Sequence, residues 1–82
     1  MEAYQWYEEK QTGLGERFLR ELDNCYSKIE TWPESYAKIR KDFRQVIFPT
    51  FPYVVVFKIH ENDVVVYSVI HSSRSLRKKF RN

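Results

Sequence analysis

The sequence is poor in the residues that build covalent or metal-held frameworks. It has one cysteine, two histidines, two glycines and three prolines among 82 residues. A single cysteine cannot close an internal disulfide. Cys25 also sits at an apolar helical position, away from histidine or another thiol, which argues against zinc. No metal and no cofactor is expected. Long apolar runs are missing too: nothing approaches the roughly 20 residues that span a bilayer, and the amino terminus "MEAYQWYEEK" has no basic stretch leading into an apolar core. These absences fit a soluble protein of the reducing cytoplasm with no membrane contact. Internal repeats and low-complexity segments are absent as well.

What is present suits one domain over residues 1–82, with 43% of residues hydrophobic and 17% aromatic. A chain this small buries only about 60% of its unfolded surface. With no disulfide or metal to compensate, a partner protein fits from the start. Acidic residues run out along the chain. Through Lys41 acids outnumber bases eight to seven, and from Asp42 onward bases lead seven to three. Arg74, Arg77, Lys78, Lys79 and Arg81 crowd the last nine residues, a footprint suited to nucleic acid or an acidic protein, or simply a solvated tail.

Periodicity divides the chain into a helical hairpin, 2–32, and an antiparallel sheet, 43–70, followed by the basic tail, 72–82. Ala3, Trp6, Tyr7 and Lys10 recur at three-and-four spacing. "QTGLGE" then breaks the pattern, its two glycines offering positive φ for a reversal. Leu14, Phe18, Leu22, Cys25, Ile29 and Trp32 form the stripe of a second helix, ended by Pro33. "PESYAKIRKD" reads as an irregular polar connection. Three strand-like runs follow, Phe43 to Phe48, Tyr53 to His60 and Val64 to Ile70. Pro49 and Pro52 mark a turn between the first two, and Asn62 and Asp63 a tight turn between the last two. The expected fold class is α+β, a helical hairpin packed on a three-stranded antiparallel meander. "YVVVF" and "VVVY" lack polar alternation, so helices cover one face and something partly shields the other.

Three segments carry a family resemblance: "AYQWYEEKQTGLGERFLRELD", the spacing from Arg44 to "FPY" in "RQVIFPTFPYVVVF", and "VIHSSR". In that order, over nearly the whole chain, they resemble the RelE/ParE superfamily of toxins from type II toxin–antitoxin modules. The "GLGERF" hairpin is closer to the ParE branch. The resemblance implies a β-α-α-β-β-β layout and a partner antitoxin that wraps the toxin. Similar proteins carry a strand before the "AYQWYEE" helix. Here that strand is missing from the pattern, whether lost or encoded upstream of this start. Its absence would leave Val64 to Ile70 as an apolar edge, open to homo-oligomer formation.

The resemblance leaves three readings open. A ParE-like toxin of a plasmid-stabilisation module would inhibit DNA gyrase without breaking bonds, its docking surface formed by Arg44, Lys58, Arg74, Arg77, Lys78, Lys79 and Arg81. A RelE-like toxin would cleave mRNA on the ribosome. That reaction, attack of a ribose 2′-hydroxyl on the adjacent phosphate, needs a proton acceptor, a proton donor and cations. Arg44, Lys58, His71 and Arg74 are its candidates. His71 could instead hydrogen-bond backbone at the sheet's end, and Arg44 and Arg74 could be structural, pairing with a carboxylate or capping carbonyls. RelE-like nucleases tend to carry a tyrosine near the carboxyl terminus, whereas this tail offers Phe80, which can stack but cannot transfer a proton. The third reading is a truncated remnant that binds antitoxin without toxicity. Tyr4, Trp6, Tyr7 and Trp32 read first as hairpin packing, with the outward members as an antitoxin groove. His60, beside Glu61 at a hairpin edge, reads as solvated.

Overall fold

A computed structural model describes residues 2–74; Arg77, Lys78, Lys79 and Arg81 therefore lie outside the described residues. Helix α1, Glu2–Lys10, and helix α2, Leu14–Thr31, form the expected hairpin. Gly13 takes the left-handed conformation that reverses the chain, with φ at 91°. The Glu8 carboxylate accepts the N–H groups of Gly13 and Gly15, each at 3.0 Å. It thereby satisfies two donors at the start of α2, at a helix end where negative charge is favoured. Gly15 serves a different purpose from the positive φ its sequence context implied. A Cβ there would lie 2.8 Å from the Tyr4 carbonyl oxygen and 2.9 Å from its ring, so the bare backbone is what lets α1 approach α2.

The α2 stripe is buried at Phe18, Leu22, Cys25 and Ile29. Trp32 is a correction: it lies at the helix cap and is 64% exposed. Pro33 disfavours helical geometry at the residue before it, so the backbone leaves the helix there and the indole leaves the stripe. A single 3-10 turn follows at Pro33–Ser35.

Among the described residues the sheet has four strands rather than three: β1, Lys38–Arg40; β2, Phe43–Ile47; β3, Tyr53–His60; and β4, Asp63–His71, in the antiparallel order β1-β2-β3-β4. The additional strand comes from the segment expected to be irregular, and pairs Lys38 with Arg44 and Arg40 with Phe43. Three residues with one apolar side chain carry no periodicity to read. Both tight hairpins use a non-glycine residue at positive φ, Lys41 at 51° and Glu61 at 58°. The second turn is Glu61–Asn62, one residue earlier than expected, because Asp63 already pairs with His60.

Between β3 and β4 the register slips: Val56 faces Ser68 while Phe57 faces Val66, leaving Tyr67 as the extra residue of a bulge. Phe18, Leu22, Cys25 and Ile29 pack against Val46, Phe48, Phe51, Val55 and Phe57. The Phe18 ring meets Tyr7, Phe48, Phe51 and Tyr53 at centroid distances of 5.0–5.6 Å. Each such fully buried side chain contributes about 1.5–3 kcal/mol. Val54 and Val56, which alternate to the face away from the helices, are buried as well. The loop between β2 and β3 is held from two sides. Glu21 Oε1 accepts the N–H groups of Thr50, at 3.1 Å, and Phe51, at 3.4 Å, while the Pro52 carbonyl accepts the N–H of Ser72 at 2.8 Å.

Candidate functional site

The four residues proposed for bond-breaking chemistry fall into separate places. Arg44 lies on the helix side of β2, opposite Phe57, and its guanidinium Nη1 donates to the carbonyl oxygens of Tyr36 and Glu34. That contact pins the connection between α2 and β1. Lys58 lies on the other face, opposite Phe43, with its ammonium 5.6 Å from the Phe43 ring centroid. Tyr67 closes on the same ring edge to face at 4.9 Å. Phe43, Lys58 and Tyr67 thus form an aromatic and cationic row across three strands. Only the strand register reveals it, since the sequence separates its members.

His71 and Arg74 belong to the opposite end of the sheet. His71 pairs with Tyr53, five residues before Lys58 along β3, or about 17 Å away at strand rise. The His71 ring packs edge to face on Tyr53 at 5.3 Å. Its Nδ1 lies 3.1 Å from the backbone nitrogen of Ser73 and 2.8 Å from that residue's Oγ. A backbone N–H can only donate, so Nδ1 accepts and the neutral ring carries its proton on Nε2. The residue's first role is to close the turn that ends β4.

Two adjoining grooves open beside this end. One, of about 550 Å³, is lined by Glu2, Ala3, Tyr53, Val69, His71 and Arg74. The other, of about 450 Å³, shares Glu2, Ala3, Tyr53 and His71 and adds Trp6 and Tyr7. Arg74 and His71 therefore share one groove, while Arg44 and Lys58 are remote from it. Sequence reasoning missed Glu2, Ala3 and Tyr53 as part of this surface, because their convergence depends on how α1 crosses the sheet.

The aromatic set divides in the same way. Tyr7 is core: it stacks on Phe18 and meets Phe51 and Tyr53, and burial pushes its phenol above the usual range. Tyr4 lies over Gly15 with its hydroxyl 3.5 Å from the Glu16 carboxylate, whose charge chiefly holds that phenol up. Trp6 is 54% exposed, beside Lys10 at 4.8 Å, and Trp32 stands at the far end of the hairpin. Of the four, Trp6 and Tyr7 line one of these grooves. Cys25 is buried with its thiol pushed up by desolvation, which suppresses the reactive thiolate. Among the described residues no three His, Cys, Asp or Glu side chains gather as a metal site. No described helix is long and apolar enough to cross a membrane.

A helical hairpin on one face of a small antiparallel sheet is an α+β architecture consistent with that of the RelE/ParE toxins. Within that class, the family described as the ParE toxin of the type II toxin–antitoxin system, parDE, matches residues 2–76, and the chain belongs to it. No curated protein and no solved structure matches.

Proposed function

We propose that this ParE-family toxin arrests growth by inhibiting DNA gyrase in the cytoplasm, and that a cognate antitoxin neutralises it. The observation that favours docking over bond-breaking is the dispersal of the candidate nuclease residues. Arg44 is committed to two carbonyls, Lys58 lies about 17 Å along β3 from the His71 position, and His71 spends Nδ1 on Ser73. A docking surface asks less of these groups, since cations at separate points can steer encounter and set specificity without sharing one reacting atom. In this reading Lys58 and Arg74, with Arg77, Lys78, Lys79 and Arg81, face the target, and Arg44 shapes the surface from beneath. The antitoxin covers Trp6 and the grooves beside it, with the exposed Trp32 a second point of contact.

Cleavage of mRNA on the ribosome is the second reading, favoured by one observation: Arg74 and His71 line the same groove. There His71 Nε2–H could hydrogen-bond a phosphate oxygen while Arg74 steadies phosphate charge. A supercoiling assay with purified chain and gyrase tests the first reading. Loss of supercoiling activity, reversed by antitoxin, is the expected result. Unchanged supercoiling, with new RNA 5′ ends phased to codons that vanish in Arg74→Ala, would replace it with the second. Induction of the 82-residue form without growth arrest would reduce the chain to a remnant that binds antitoxin.

A further inference from the structure

The face of the sheet turned away from the helices has a dry centre. Val54 and Val56 point to that side of β3, yet they are only 2% and 1% exposed. Val54 stands between Ile47 and Ile70, and Val56 between Gln45 and Ser68. Side chains on one sheet face stand side by side, so such neighbours leave the outer methyls of a valine open to water. The helices pack on the opposite face, against Val46, Val55 and Phe57. The Phe43 and Tyr67 rings meet across β3 and shelter the Lys58 end of Val56, but Val54 lies a further row away. Gln45 repeats the sign, since its Oε1 is buried with no hydrogen-bond partner among the described residues.

Exposure also outlines the cover. Ile47 is 61% exposed and Tyr67 64%, so the sheltered zone is narrow, centred on β3 and bounded by open side chains on both sides. A second sheet or a broad partner surface would close over Ile47 and Tyr67 as well. One or two apolar side chains are the right size.

The chain supplies them. Ser72 N–H donates to the Pro52 carbonyl at 2.8 Å, which fixes the exit from β4 next to the row of Val54 and Ile70. Residues 75–82 follow, reading "SLRKKFRN". Their apolar side chains are Leu76 and Phe80, four residues apart, a spacing that sets both on one side of a helical turn with the bases around the rest. Strand spacing would instead put Lys78 between them on the same side. Eight residues of helix span about 12 Å, and the step from Tyr53 to Val56 along β3 is about 10 Å.

We propose that the basic tail folds back over the outer face of this sheet, seating Leu76 on Val54 and Ile70 and Phe80 on Val56. The contact dries the two apolar residues of an otherwise charged segment. It also turns Arg77, Lys78, Lys79 and Arg81 outward, beside Lys58, so that cations which would sample many positions meet a target already arranged. The contact stands whichever target they meet, gyrase or RNA.

NMR on the full chain, with the valine methyls read one by one, tests the contact. In a solution of a soluble gadolinium chelate, relaxation of the Val54 and Val56 methyls should rise several-fold on Leu76→Asp with Phe80→Asp, while the helix-side Val55 stays shielded. Phe80→Leu keeps the seat filled and removes only the ring, so it should move the Val56 methyl signals and leave those of Val55 in place. That variant decides the matter if the double one does not fold. Val54 and Val56 still shielded in the folded double variant, or Val56 signals unmoved by Phe80→Leu, would overturn the proposal. So would Phe80 contacts that arise only between differently labelled copies, since the cover would then be a second chain.

Discussion

The two outer strands of the sheet meet solvent with opposite chemistry. Strand β1 is three residues long, carries Lys38 and Arg40, and has Lys38 3.6 Å from Asp42. Strand β4 is nine residues long and uncharged between its ends. A short charged edge offers little for another strand to pair with, whereas a long apolar one is a template. The difference extends beneath the strands. Arg44 ties the β1 side to the carbonyls of Tyr36 and Glu34, while β4 is flanked by grooves. One edge is tied down by a side chain from its neighbour, and the other is bordered by open grooves.

The largest perturbation removes what both edges share. Phe18→Ala empties the centre of the aromatic cluster and should cost about 3–5 kcal/mol, enough to abolish cooperative thermal unfolding in a domain this small. Gly15→Ala comes next. It forces a Cβ against Tyr4, displaces α1 from α2 and should cost about 1–3 kcal/mol, read as a lower denaturant midpoint. Because α1 walls the groove beside β4, exchange of β4 amides should rise more than that of β1 amides. Arg44→Ala should act in the other direction. A cost of about 1–2 kcal/mol, after allowing for partial exposure, should speed exchange across residues 34–40 and leave β4 protected. Equal effects at both edges would break the contrast. The smallest changes sharpen it: Lys41→Gly and Glu61→Gly each relieve a positive φ and should stabilise by about 0.5 kcal/mol. Each should slow exchange only at its own hairpin.

Much of this architecture is legible in the chain because it rests on local patterns. Phe18, Leu22, Cys25 and Ile29 recur at helical spacing, and runs rich in valine, isoleucine and aromatics, separated by Pro49, Pro52 and the Asn62–Asp63 turn signal, mark β2, β3 and β4. The rest depends on partners distant in sequence. Glu8 and Glu21 look like ordinary surface acids until Gly13, Gly15, Thr50 and Phe51 are seen donating to them. Lys38–Arg40 becomes a strand only because β2 is there to receive it. The candidate site was half legible for the same reason. Residue types suited to anion contact can be read directly, but alternation decides that Arg44 and Lys58 face opposite ways, and register decides that His71 lies at the far end from Lys58.

Both tryptophans stand on the surface, Trp6 54% exposed beside the grooves and Trp32 64% exposed at the end of α2. An indole in water emits at long wavelength whether the chain is folded or not, so intrinsic fluorescence should change little as this protein melts. The same placement makes the two rings a built-in reporter of encounter. Any macromolecule that covers either one should shift its emission toward the blue, and single Trp6→Phe and Trp32→Phe chains should tell which end of the hairpin has been touched.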